Sequence, residues 1–376
     1  MIRISCRLTA AWPIVLAACV CASALGCAST IDDDEQLILF PTFAAENGPS
    51  TWTADIRGWI YEPEVGEKRQ FLLGELERLL RHNFDLRNED LESAPTTSTP
   101  HFSERAALFL VDNERRKRVA VTIAGETFTL GRSEPDGVFA GDVTLTRATS
   151  RSGEWTEVRA VTRPEDPRVF AGKLQFIGRR GLSVVSDIDD TIKDSHVLDM
   201  HELGVNTFLR DFRAVAGMSD LYRRWAASGT AVFHYVSTSP LQLYPALADF
   251  VRRDGFPEGS FHLRPFRLKD RSVQTFFGDP PAFKVGVIDS LMRRFPERRF
   301  ILVGDSGEQD PEVYQKLASR FPKRVAAILI RDVRGQDLTS PRFVQLYADL
   351  PADIERRVFR DPRELEGFQT LDIPLR

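Results

Sequence analysis

Beyond residue 27 the 376-residue chain has no cysteine at all: its four, Cys6, Cys19, Cys21 and Cys27, sit at the N-terminus. A disulfide framework, a thiolate zinc site and a cysteine nucleophile are therefore excluded from the body of the protein. An excess of one charge is also lacking. Fifty Lys and Arg stand against 54 Asp and Glu, a formal net charge of −4, so there is no broad basic footprint for nucleic acid, although a local basic patch can still meet an anionic ligand. No repeat period or low-complexity tract occurs. No GxGxxG or Walker loop implies a nucleotide cofactor, and His196, His201, His234 and His262 show neither HExxH nor paired zinc spacing. What is present is ordinary globular usage, 42% hydrophobic and 28% charged. The length suggests about two domains of roughly 100 to 200 residues each.

Arg3 and Arg7 precede an apolar run at 8–25 that is short for a membrane span and has the layout of an export signal. Two exits are open. One is a small-residue cleavage site at Ala22-Ser23-Ala24, which would release a soluble periplasmic or secreted protein. The other is Ala24-Leu25-Gly26-Cys27, whose Gly-Cys resembles a bacterial lipobox and would place a lipid anchor on Cys27. The expectation is an export segment at 1–27 and a lipoprotein of the cell envelope.

From 35 to 172 short alternating runs (LILF, DIRGWIY, AALFLVD, RVAVTIAG, GVFAGDVTLTRA) are divided by Asn47-Gly48-Pro49, Asp136-Gly137 and Ser152-Gly153, which predicts a smaller β-rich, sandwich-like domain. Within it, 65–86 carries Leu72, Leu76, Leu79 and Leu80 at helix-face spacing, and this helix is expected to pack on the sheet. The stretch 93–100, SAPTTSTP, reads as a loop. From 173 to 350 the apolar strands LSVVSD, AVFHYVS, RRFILVGD and VAAILIRD alternate with helical patterns at 208–227, 241–254, 284–295 and 311–321. That alternation predicts an α/β domain, a parallel sheet with helices on both faces, with ligands beyond the carboxyl ends of its strands. Residues 351–376 are left as a C-terminal tail.

Three of those strands end in reactive side chains. The first runs into Ser186-Asp187-Ile188-Asp189-Asp190-Thr191, where Asp187 and Asp189 are expected on the same side, repelling unless a cation or proton intervenes. The second ends Ser237-Thr238-Ser239-Pro240: Ser239 suits a helix N-cap and Pro240 the first helical position, which would put Ser237 at a positive helix terminus suited to phosphate. The third ends Gly304-Asp305-Ser306-Gly307-Glu308-Gln309-Asp310-Pro311, where Asp305 and Asp310 can fold around one hard cation, Mg²⁺ fitting best. Asp310 is equally a plausible N-cap for a helix beginning at Pro311.

These elements resemble the haloacid-dehalogenase (HAD) phosphohydrolase superfamily, whose fold is a HAD-like Rossmannoid sheet. DIDDT corresponds to its first motif, Ser237 to the second, GDSGEQD to the fourth, and the third-motif lysine is best matched by Lys284, with Lys269 as a weaker candidate. Over residues 170–332, the segments SDIDDTIKDSHV, FLRDFRAVAGMSDLYRRW, VFHYVSTSPLQLYP, GFPEGSFHLR and RRFILVGDSGEQDPEVY are similar to the catalytic domain of the actin-patch phosphatidate phosphatase family. The resemblance implies that Asp187 is a phosphate-attacking nucleophile and Asp189 a general acid and base. It implies further that Ser237, Thr191 and Lys284 bind the transferring oxygens, and that Mg²⁺ is held by Asp187, Asp305, Asp310 and the backbone carbonyl of Asp189. Phosphatidate or another phosphorylated lipid at a membrane surface is then the expected substrate. The run Arg264-Pro265-Phe266-Arg267-Leu268-Lys269-Asp270-Arg271 is a candidate lipid contact or an ordinary solvated loop.

Two other readings compete. GDSG also occurs at the nucleophile of trypsin-like proteases, but here it lies between a parallel-type strand and a helix rather than in a β-barrel. A catalytically silent, surface-anchored binding protein is the other. Against it stands the cost of holding four unpaired aspartates together without a metal.

Overall fold

The computed structural model describes residues 29–87, 90, 98–146, 151–227, 229, 231–266 and 281–368. The export segment with Cys27, residues 93–97 of the expected loop, and Lys269 lie outside these residues. No helix among the described residues is long and apolar enough to cross a membrane.

The first part of the chain builds one nine-stranded sheet from β1 (Gln36–Leu39), β2 (Thr42–Gly48), β3 (Thr51–Glu62), β4 (Asp112–Asn113), β5 (Arg118–Ile123), β6 (Glu126–Arg132), β7 (Val138–Thr146), β8 (Trp155–Ala160) and β9 (Ala171–Ile177). Its spine is β1-β3-β2-β9-β8-β5-β6, with β4 and β7 joined to β3. The pairs are antiparallel except β2 with β9. Alternation on β3 turns Trp52, Ala54 and Ile56 into one apolar cluster with Val119, Val121 and Leu174, as the period of two requires.

Among the elements of the described residues, the helices α1 (Gly66–Phe84) and α2 (Ser98–Ala107) interrupt this sheet. Their packing overturns an expectation. The buried face of α1, Leu76, Leu80 and Phe84, does not cover the first sheet; together with Phe102, Ala106 and Phe109 it joins the core of the second, against Phe208 and Phe212. The run AALFLVD is likewise not a strand: its start is helical, and only Asp112 pairs, in the two-residue β4. The spacing of Phe102 and Ala106, i, i+4, places both on one helix face, the turn after the helix brings Phe109 into the same cluster, and burying these side chains outweighs extended pairing.

The second sheet is wholly parallel, in the order β12-β11-β10-β13-β14-β15. Its strands are β10 (Leu182–Ser186), β11 (Ala231–Pro240), β12 (Gly259–Arg264), β13 (Arg299–Asp305), β14 (Val325–Arg331) and β15 (Glu355–Phe359). Strand β15 places part of the expected tail at the sheet's edge, because 355–359 can continue the ladder of β14. One face is covered by α3 (Met200–Phe208), α4 (Met218–Ala227) and α5 (Tyr244–Arg253), the other by α6 (Pro281–Arg294), α7 (Asp310–Arg320) and α8 (Pro341–Tyr347). Val184, Ile301 and Val303 face the first set, Val185, Phe300 and Leu302 the second. Of the helix expected over 208–227, only 218–227 forms, as α4; α3 ends at Phe208, and in the stretch between them Ala214 bridges to Lys193 and Gly217 takes a φ of 85°.

The expected division at residue 172 cuts through the packing of α1 and α2. A chain trimmed to begin at residue 173 would strip Leu76, Leu80, Phe84, Leu86, Phe102, Ala106 and Phe109 from one face of the second sheet. At about 1.5–3 kcal/mol for each large one, that loss approaches the whole stability of a domain, about 5–15 kcal/mol. The trimmed chain is expected to aggregate; a soluble monomer with a cooperative melt, seen by gel filtration and circular dichroism, would contradict this packing.

Candidate active site

Strand β10 is the point where the order of the parallel sheet reverses, with β11 on one side and β13 on the other. A crevice opens beyond the carboxyl ends at such a point. Asp187 is the first residue past β10, and its amide still bonds to Val303 O at 2.9 Å, which ties it to β13. Asp305 closes β13, and Ser237 and Ser239 lie at the end of β11. All four side chains are buried, none more than 4% exposed.

Lys284 is the hub. From the first turn of α6, fully buried, its Nζ lies 2.9 Å from Asp187 Oδ1, 2.9 Å from Glu308 Oε2 and 2.6 Å from Asp310 Oδ1. Burial acts to lower the lysine, but Asp187, Asp310 and Glu308 outweigh it and lift it well above its ordinary value. The carboxyls respond in kind. Burial raises Asp187 well above the usual range, opposed by Lys284 and reinforced by Asp310, Glu308 and Asp305; burial with Asp310 and Glu308 does the same to Asp305. Glu308 is pushed up to about 7, by burial first. Lys284 is the only cationic group in ion-pair contact with these carboxylates among the described residues, so the cluster stays short of positive charge.

Asp305 shows how that shortage is oriented. Its Oδ1 accepts from Gly307 N at 2.6 Å and Glu308 N at 3.1 Å, while Oδ2 is buried with no hydrogen-bond partner. Oxygens of Asp187, Asp305 and Glu308 all lie within 4.8 Å of one another. An all-carboxylate set with an orphaned buried oxygen suits a small hard dication. The glycines belong to this geometry: a Cβ on Gly304 would meet Asp310 Oδ2 at 2.3 Å and one on Gly307 would meet Asp305 Oδ1 at 2.8 Å.

Asp189 does not share the Asp187 pocket as expected. It turns to a second buried lysine, Lys193, at 2.7 Å, and accepts from Ser195 Oγ at 2.7 Å, Ser239 Oγ at 2.6 Å and, at 3.4 Å, Ser237 Oγ. Burial acts to raise this carboxyl, but Lys193 and the hydroxyls hold it down to about 2. Asp187 and Asp189 thus pair with different lysines, Lys284 and Lys193, which relieves the repulsion expected between them. The aspartates are not unpaired, as the case against a silent protein assumed; they are underpaired.

Other expected roles change in detail. Ser239 is not a helix cap: β11 runs on to Pro240, a short 3₁₀ turn follows at Leu241–Leu243, and the Ser239 hydroxyl is spent on Asp189. Asp310 does not cap α7 either; it is the first residue of that helix, and its carboxylate takes Lys284 and the Asp305 amide, at 3.2 Å. That engagement leaves Asp310 out of the three-carboxylate group, where Glu308 stands instead. Thr191 Oγ1 donates to Asp187 Oδ2 at 3.1 Å. His234 and His262 are buried and share Ser260 Oγ, at 2.8 and 2.9 Å, away from these carboxylates. Of the basic run, Arg264 is buried with its Nε on Thr238 O at 3.1 Å and Phe266 is 3% exposed, so neither offers a surface contact to lipid; 267–271 lie outside the described residues.

The sequence model of the family described as "Phosphatidate phosphatase APP1, catalytic domain" matches residues 182–332, the span from β10 to just past β14. Over these residues the chain is similar to that family's catalytic domain. Phosphatidate phosphatase APP1 of Saccharomyces cerevisiae is 33% identical over 169 residues, 44% of this chain and 28% of its own length. An uncharacterised protein of Schizosaccharomyces pombe is 34% identical over 170 residues, 44% of this chain and 27% of its own. The chain thus spans little more than a quarter of the curated relatives it matches. A solved 2,6-sialyltransferase from Photobacterium sp. JT-ISH-224 overlaps 61% of this chain and 38% of its own at 10% identity and a TM-score of 0.23, which carries no argument.

Within the matched span, four residues escaped the reading of motifs. Lys193, Ser195 and Ser239 hold Asp189, and Glu308 joins the acidic group. Lys193 had a signal, a lysine two residues after Thr191 in DIDDTIK, but nothing in the spacing said that the turn would fold it back.

Proposed function

We propose that the protein is a Mg²⁺-dependent phosphatidate phosphatase of HAD-like fold, releasing phosphate from phosphatidate to leave diacylglycerol by way of an aspartyl-phosphate on Asp187. The single observation that carries this reading is the buried Asp187 at the sheet's switch point, one oxygen on Lys284 and one on Thr191, beside Asp305 and Glu308. A phosphomonoester is the substrate class that needs a carboxylate nucleophile kept among cations.

In this reading Asp187 attacks phosphorus while Lys284 and the Thr191 and Ser237 hydroxyls bind the oxygens of the transferring group. Asp305 and Glu308, with Asp187, would hold the Mg²⁺, which supplies charge that lets an anionic nucleophile meet an anionic phosphate. Asp310 keeps Lys284 in place. Asp189 handles the proton. With Lys193 and two serine hydroxyls on it, the carboxylate is prepared for the base half of the reaction, taking a proton from water. To protonate a leaving alkoxide it must first gain a proton and loosen that grip, so substrate entry would displace Ser239 or Lys193 from it.

The remaining parts of the reading are the export of the chain, a lipid anchor at Cys27 that holds it near a membrane, and a β-rich N-terminal unit before a catalytic one. Among the described residues the connection from β10 to β11 holds only α3 and α4, and a connection this short suits a phosphate displayed on a bulky lipid. The test is phosphate release from phosphatidate in mixed micelles, from a soluble aryl phosphate and from a phosphopeptide, each with Mg²⁺ and with chelator. Preference for phosphatidate, lost on chelation, is expected. Preference for a soluble phosphate would leave a phosphatase but not a lipid phosphatase, and release unaffected by chelation would remove the metal.

A further inference from the structure

We propose that Arg334 and Arg342 are positioning residues that fix the free oxygen of Asp305 by holding the two peptide planes in front of it. The inference rests on the reading of Asp305 as a cation ligand. Both arginines lie beyond the span matched by the family, Arg334 in the loop after β14 and Arg342 in the first turn of α8.

The contacts form one connected set. Ser306 O accepts from Arg334 Nε at 2.9 Å and from Arg342 Nη1 at 2.7 Å; Gly307 O accepts from Arg334 Nη2 at 2.7 Å. Arg342 Nη2 also reaches Glu308 O at 2.9 Å. A peptide group is planar and stiff, with its carbonyl and its N–H pointing in opposite directions. The plane whose carbonyl is Ser306 O carries the Gly307 amide, and the plane whose carbonyl is Gly307 O carries the Glu308 amide. Those two amides are the donors to Asp305 Oδ1. Each plane is therefore held at both ends, a guanidinium on its outer oxygen and the Asp305 carboxylate on its inner N–H.

The consequence falls on the other oxygen. With Oδ1 occupied twice, the carboxylate is held against rotation, and Oδ2 is left buried without a partner in a carboxylate that groups with Asp187 and Glu308. Arg342 is itself held in place by a bidentate pair with Glu312, both contacts at 2.8 Å, and the amide of Arg334 bonds to Asp332 Oδ1 at 3.0 Å. A fork of several N–H groups is needed for this arrangement, and a lysine provides only a point charge on a flexible stem. Partners of this kind change metal affinity by about 10–100-fold when removed.

The experiment is calorimetric titration of Mg²⁺ into the purified full chain and into Arg334→Ala, Arg334→Lys and Arg342→Ala, with circular dichroism of each. Arg334 is exposed, so its removal leaves the fold standing. If Arg342→Ala does not fold, the two Arg334 variants decide. Both alanine variants are expected to bind Mg²⁺ about 10–100-fold more weakly, with turnover at saturating Mg²⁺ reduced and the KM for substrate unchanged. Arg334→Lys is expected to recover less than half of the loss. Folded alanine variants that bind Mg²⁺ within twofold of the parent would overturn the proposal, as would full recovery by Arg334→Lys, which would make charge alone sufficient. A parent chain that takes up no Mg²⁺ would instead remove the cation reading itself.

Discussion

Asp187→Asn is expected to lower turnover by about 10⁴–10⁶-fold, the range seen when a residue at the centre of covalent catalysis is removed. An amide of nearly the same shape cannot attack phosphorus and is a poorer cation ligand. The fold has no need of the charge. The Thr191 hydroxyl at 3.1 Å can accept from an amide as readily as it donates to a carboxylate, and Lys284 keeps Asp310 and Glu308. Because burial already raises the Asp187 carboxyl well above its usual range, its ionised form is held at a cost that the amide does not carry. Phosphate release should therefore vanish while the melting temperature stays level or rises. Turnover near the parent rate would end the assignment of Asp187 as nucleophile, and a collapsed fold would show that its charge has a structural duty.

Lys284→Met is expected to strike stability as well as activity. The substitution retains the length of the chain but leaves Asp187, Glu308 and Asp310 facing one another without their ammonium. Removing one partner from a buried pair costs about 3–5 kcal/mol, and at roughly 2–4 °C for each kcal/mol in a domain of this size the melting temperature should fall by about 10 °C. The pH dependence follows from the direction of the shifts. Glu308 stands at about 7 against an ordinary 4.5, so the folded state binds more protons than the unfolded one between those values. Its contribution to stability is then present at low pH and lost as pH rises through about 7. Without Lys284 this dependence should steepen, so the variant should be least stable above pH 7 and approach the parent on acidification. Thermal melts across pH with chelator present check both; a variant that melts as the parent does at pH 8 would place Lys284 outside the cluster's energetics.

Much of the second sheet was open to a reader of the sequence, because its signals are local. A parallel strand buried on both faces is a short apolar run whatever it packs against, and LSVVS, RFILVGD and VAAILIR are such runs. A carboxylate at the end of such a run arrives at the ligand-binding edge by topology alone, which is why Asp187, Asp305 and Ser237 could be assembled before any coordinates. The errors came where two local rules competed. Ser239 before Pro240 satisfies the cap pattern, yet the strand continues, since the buried, charged Asp189 carboxylate is a better partner for the hydroxyl than a 3₁₀ turn's amides.

By itself, the sequence determined the strand order of chemistry along the chain: the acidic ends after β10 and β13, the hydroxyls after β11, the lysine opening α6, and the absence of thiol or nucleotide-loop chemistry. These depend on side-chain type and on periods of two and 3.6, which neighbours in sequence reveal. Only the tertiary structure decided which partner each group takes. Lys193 folds back onto Asp189, Glu308 joins Asp187 and Asp305 in the acidic group, and α1 and α2 leave their own sheet to cover Phe208 and Phe212. Arg334 and Arg342 reach the carbonyls of 306–308 from 27 to 36 residues away. Such choices depend on which buried charge or apolar face would otherwise go unmatched, and that cost exists only once distant segments have closed around it.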